Sequence, residues 1–95
     1  MNNHGSVALT ADSAVGTSGN PIRVFSATWT SGATAGILQL RNGTADTADS
    51  YTFLEGTAYL SKVQTWEGGL RFPKGCFYDH DSNIGRAVIE YVEEK

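Results

Sequence analysis

The chain has 95 residues, 40% of them hydrophobic, and a formal charge of −3 from seven basic and ten acidic side chains. For a mass of 10.2 kDa, surface scaling gives one domain with a folded area of about 5,300 Å² and roughly 64% burial, so the core is thin and a partner subunit is expected to add stability. The basic residues Arg23, Arg41, Lys62, Arg71, Lys74, Arg86 and Lys95 are scattered, which excludes a phosphate-tracking stripe and argues against nucleic acid.

No stretch approaches the roughly twenty apolar residues of a membrane span. The start, "MNNHGSVALT", lacks the basic region and apolar run of a secretory signal. Residues 1–5 are expected as a flexible arm, and "SVALTAD" as an edge strand or a continuation of that arm. "PIRVFSATWTS", residues 21–31, alternates. Strict period two places Ile22, Val24, Ser26 and Thr28 on one side and Arg23, Phe25, Ala27 and Trp29 on the other. Both sides are partly apolar, which predicts a strand covered twice, by the opposite sheet and by another subunit.

"GILQLRNG" sets Leu38 and Leu40 against Gln39 and Arg41, and Asn42-Gly43 closes it with a strong hairpin signal. The sequon "NGT" at Asn42 to Thr44 reads as this turn, not as a glycosylation site. "TADTADS" holds no large apolar side chain and is predicted as a surface loop. After a break at Gly56, Tyr59, Ser61, Val63 and Thr65 share one side, with Leu60, Lys62, Gln64 and Trp66 opposite. "GLRFPKG" and "CFYD" are two short pieces split by Pro73-Lys74-Gly75. The final "GRAVIEYVEEK" opposes Ala87, Ile89 and Tyr91 to Val88, Glu90 and Val92. A helix over 86–94 competes there, but β-branched Val88, Ile89 and Val92 favour a strand.

Some seven strands, with turn signals every eight to twelve residues, predict an all-β chain: a compact antiparallel β-sandwich or a jelly-roll-like small barrel, in one domain over 1–95. Ten threonines and eleven glycines fit that class and oppose helix.

The densest chemistry lies in "GGLRFPKGCFYDHDSNIG", residues 68–85. A thiolate site would pair Cys76 with His80 and Asp79 or Asp81, but i,i+4 spacing on a strand separates Cys76 from His80 by about 13 Å. Cys76 reads better as a small apolar core residue. Asp79, Asp81, Asn83 and Glu90 match positions one, three, five and twelve of a calcium loop. Ile84 stands where that loop needs glycine, and strands replace its helices, so an irregular calcium site and backbone capping by Asp and Asn both stay open. One cysteine and one nearby histidine are too few for structural zinc. No catalytic residue and no cofactor are expected. Phe25, Trp29, Trp66, Phe72 and Tyr78 are the candidates for an interface or surface contact, where aromatic faces could also stack a sugar.

"SGATAGILQLRNGT", "WEGGLRFPKGCFYD" and the last strand "AVIEYVEE" resemble small virion proteins of tailed bacteriophages, particularly marine and cyanobacterial ones. The resemblance runs from Asn20 to Glu94 and is most specific at Gly69-Leu70, Phe72-Pro73, Gly75-Cys76 and Tyr78-Asp79. It implies a non-enzymatic β-sandwich subunit, a homotrimer, made in the host cytoplasm and carried in the virion. Its partner would be the major capsid protein or another virion protein, which it would decorate and cement. The alternative is a tail or head fibre or adaptor with a carbohydrate- or receptor-contacting surface.

Overall fold

The computed structural model describes residues 3–94. Their strands are β1 (Asn3–Leu9), β2 (Ser13–Val15), β3 (Ile22–Ser31), β4 (Ile37–Asn42), β5 (Asp49–Ser50), β6 (Leu54–Glu55), β7 (Ser61–Phe72), β8 (Cys76–Asp79) and β9 (Ile84–Glu93). They form two antiparallel sheets packed together. The first has the order β1-β9-β3-β7; the second has β2-β8-β4-β5, with β6 also on β4. No pairing among the described residues closes them into a barrel. Outside β4 to β6, every connection carries the chain from one sheet to the other. The exposed area, 5042 Å², is close to the value expected for a monomer of this mass.

The start of the chain is more ordered than an arm. Asn3, His4 and Gly5 pair with Glu93, Val92 and Tyr91, and residues 1–2 of the expected arm lie outside the described residues. The final segment is the strand β9, not a helix, with Ala87 and Ile89 buried as the alternation predicts.

The phase of β3 differs from strict alternation. Val24 pairs with Tyr91 and Ser26 with Glu90, so one extra residue, Phe25, is absorbed as a β-bulge. Inward residues are therefore Ile22 and Val24 before the bulge, and Ala27, Trp29 and Ser31 after it, all buried. Thr28 and Thr30 are exposed on the other face. The two-faced apolar character expected for residues 21–31 does not exist, because a missed bulge inverts every later side chain. Facing the bulge, β7 makes its own excursion. Leu70 pairs with Val24 and Thr65 with Ser26, leaving residues 66–69 looped out. Gly68 and Gly69 turn that excursion at φ 78° and 85°, angles that favour glycine. A Cβ on Gly69 would lie 2.3 Å from Arg23 Cγ and 3.1 Å from Phe25 Cε1, so these two side chains pack directly over it.

The Pro73–Gly75 turn carries the chain from β7 in the first sheet to β8 in the second. Gly75 has φ 102°, and its N–H donates to Phe72 O at 3.2 Å while its own carbonyl accepts from Gly43 N at 2.9 Å. Asn42-Gly43 does not form a two-residue hairpin. Asn42 is buried: its Oδ1 accepts from Lys74 N, and its Nδ2 donates to the Tyr51 hydroxyl, both at 2.9 Å. The return strand begins only at Asp49, opposite Asn42, and residues 44–47 of the intervening loop are exposed. Arg41 holds that loop, donating to Ala48 O at 2.8 Å and to Asp79 Oδ2 at 2.9 Å. Glu93, also buried, ties down the β2–β3 connection by accepting from Thr17 N at 2.7 Å and Asn20 Nδ2 at 3.0 Å.

Between β5 and β6 the edge of β4 is completed by a side chain. Tyr51 N donates to Leu40 O at 2.9 Å. Thr52 Oγ1 then accepts from Leu40 N at 2.9 Å and donates to Leu38 O at 3.3 Å, standing in for ladder bonds at a buried position. Thr52→Val keeps the shape and strips both bonds from buried backbone, which is expected to cost about 2–4 kcal/mol. Thr52→Ser is expected to retain most of the stability. Urea unfolding of the two variants checks this, the same loss in both contradicting the hydroxyl's role.

Candidate interaction surface

Four residues of the dense segment have structural partners or are buried: Cys76, Tyr78, Asp79 and Asp81. Cys76 is buried on the inner face of β8, and desolvation raises its thiol far above the ordinary range, the opposite of an activated nucleophile. Tyr78, fully buried, stands between Cys76 and His80, its hydroxyl 2.9 Å from His80 Nδ1. Its phenol is pushed up to about 12, first by burial and then by the charges of Asp81, Asp12 and Asp79.

The four residues of the calcium pattern are not gathered. Asp79 pairs with Arg41 at 2.9 Å. Asp81 caps backbone, its Oδ2 accepting from Ile37 N at 2.8 Å and its Oδ1 from Asn83 N at 2.9 Å. Glu90 is exposed on the outer face of β9, opposite Ser26. Among the described residues, no group of three or more His, Cys, Asp or Glu is placed to hold a metal ion, and no cavity opens.

The aromatic candidates divide. Trp29, Phe72 and Tyr78 are core residues, 3%, 0% and 0% exposed, so in the folded chain they offer no contact surface. Inward phase after the Phe25 bulge is what hides Trp29. Its Nε1 is buried without a hydrogen-bond partner among the described residues, beside Gly56, where even a Cβ would approach it to 2.8 Å. Phe25 lies half-buried over Gly69, and Trp66 is half-buried against the core.

The exposed apolar side chains are others: Tyr51 and Phe53 beside β4, then Tyr59, Leu60 and Val63 at the start of β7. Phe53, Tyr59 and Val63 are 62%, 75% and 64% exposed. Tyr59 also has a left-handed backbone, φ 61°, a costly conformation for an aromatic residue. Three backbone bonds hold it there: Tyr59 N to Gly32 O at 2.8 Å, Leu60 N to Thr57 O at 3.0 Å, and Ser31 N to Leu60 O at 3.2 Å. The sequence did carry a signal for this surface. Tyr59 and Val63 fall on one side of the alternation, and no strand among the described residues covers that side.

Comparison with protein-family models, with curated proteins and with solved structures returned no match.

The buried phenol has a consequence for pH. Its folded pKa lies above the ordinary value of 10.0, so the folded form keeps its proton where the unfolded form has lost it. That contribution is complete below pH 10 and is lost as pH rises towards about 12. The expected slope is about 1.4 kcal/mol per pH unit, with buried Cys76 acting in the same direction. Denaturant unfolding between pH 9 and 12 measures it. Tyr78→Phe is expected to make the profile shallower, leaving the part due to Cys76, and an unchanged slope would contradict this origin.

Proposed function

We propose that the chain is a β-sandwich subunit of a tailed-phage virion, packing on the major capsid shell as a decoration or cement subunit. Two things support the reading: the resemblance of residues 20–94 to small virion proteins, and the display of apolar side chains from 51 to 63. Tyr59 carries it. A left-handed backbone at a 75% exposed aromatic costs stability in the isolated chain and recovers none by burial. The backbone bonds to Gly32 O and Thr57 O hold that conformation, and what it achieves is to display the ring where a partner can bury it.

Cementing works by linkage. A subunit that binds the assembled shell and not its separated proteins makes dissociation break extra contacts, and several linked subunits gain avidity. The second covering expected over residues 21–31 loses its support in the phase of β3; the exposed apolar residues from Tyr59 to Val63 remain available to a partner. No catalytic step, metal or cofactor belongs to this proposal.

The alternative, a fibre or adaptor touching a glycan or receptor, draws on the same exposed Tyr51, Phe53 and Tyr59. Trp29 no longer serves it. A reconstruction of the particle separates the two: copies at regular positions on the shell support decoration, and copies confined to the tail vertex favour the fibre or adaptor.

Tyr59→Gly tests the contact itself. Glycine accepts the left-handed backbone, so the isolated chain is expected to gain about 1 kcal/mol or to stay unchanged, by urea unfolding. Occupancy on particles is expected to fall. Full occupancy by the variant would show that the ring is not a contact.

A further inference from the structure

We infer that the first half of β7 is a self-pairing edge, at which a second copy of this chain adds its own β7 antiparallel about Val63. β7 ends the first sheet, with β3 on one side and, among the described residues, no strand on the other. The direction of its backbone groups follows from one bond. Leu60 O accepts from Ser31 N of β3's last residue, so alternation turns the N–H and C=O of Ser61, Val63 and Thr65 to the open side. Thr65 agrees: its carbonyl accepts from the Gln64 side-chain amide at 2.9 Å, an exposed bond outside the ladder.

Edges are ordinarily blunted by proline, bulges or charge. The second half of β7 is blunted, by the excursion at 66–69 and by Pro73 just past its end. The first half has only Lys62, and it bears Val63 at 64% exposure.

The occupant follows from register. Pairing about Val63 sets Ser61 against Thr65 of the second copy and Val63 against Val63, all residues whose backbone faces outward, for about six hydrogen bonds. It sets Lys62 against Gln64, so no like charges meet, and it ends at Ser61 and Thr65, before the excursion at 66–69. Moving the centre to Lys62 opposes two ammonium groups directly, which is unfavourable. Moving it to Gln64 loses the pairing of Val63 with itself and sets Ser61 and Lys62 against the excursion at 66–69. Among these, only the Val63 register joins apolar to apolar without opposing like charges or entering the excursion. The contact is isologous, so it closes as a twofold pair and extends the first sheet across two copies.

This deepens the reading of the Tyr59 end as a contact surface and does not depend on where a virion carries the chain. The test uses the purified full chain. Light scattering against concentration is expected to show a dimer mass, and hydrogen exchange is expected to slow at the amides of Ser61, Val63 and Thr65 as the dimer forms. Val63→Lys opposes two charges at the centre on an exposed position, so it is expected to keep its unfolding midpoint and lose the dimer mass. A monomer at every concentration overturns the inference. So does a trimer, an assembly in which those three amides still exchange freely, or a Val63→Lys variant that stays dimeric. The particle reconstruction bears on the virion reading alone, so the two can fail separately.

Discussion

β3 is flanked by β9 and β7 and sends its inner face across the core, so the phase of its side chains constrains everything packed on it. That phase is kept across one surplus residue. Ile22 and Val24 point inward, Phe25 is absorbed by the bulge, and Ala27 and Trp29 point inward again. Had the bulge been absent with the same residues in place, Trp29 would face water and Thr28 the core. The price appears on the neighbour, where β7 loops out four residues and needs two glycines in left-handed conformations. Phe25 and Arg23 then cover the glycine that a side chain would have blocked.

The same constraint divides β7 into two parts with different prospects. Beyond the excursion, Leu70 to Phe72 rejoin β3, and Phe72 is fully buried. Before it, residues 61–65 lie flat against β3 and open on the other side. That open half carries Val63 and follows the strained Tyr59. A chain with so little interior has already used Trp29, Phe72 and Tyr78 for its core. The aromatic and aliphatic groups left outside are therefore the ones available for another molecule.

Much of this was legible in the sequence. Period-two patterns in residues 37–42 and 84–93 gave the right faces, because those strands pair regularly where the pattern was read. The dense segment at 68–85 places glycines where the backbone turns, Cys76 and Tyr78 in the core, and Asp81 on backbone N–H groups. Two features were hidden. A bulge has no residue signature, so Phe25 inverted the reading of β3 and made a one-faced strand look two-faced. Asn42-Gly43 carries a hairpin signal, but the Asn42 amide is bonded to Lys74 N and Tyr51 Oη, partners distant or unmarked in sequence. Burial of Trp29 likewise follows from the phase that the bulge sets, whereas Phe72 and Tyr78 are buried on β7 and β8.

Two single-residue deletions in β3 measure that phase most directly. Deleting Phe25 removes the surplus residue and restores plain alternation, with Ile22, Val24, Ala27 and Trp29 still inward. Deleting Thr28 turns Trp29 outward while the bulge remains. Urea unfolding followed by tryptophan fluorescence is expected to show cooperative folding without Phe25, weakened by about 1–3 kcal/mol for the lost packing over Gly69, and no cooperative transition without Thr28. Loss of folding in the Phe25 deletion, or a stable fold in the Thr28 deletion, would contradict the account.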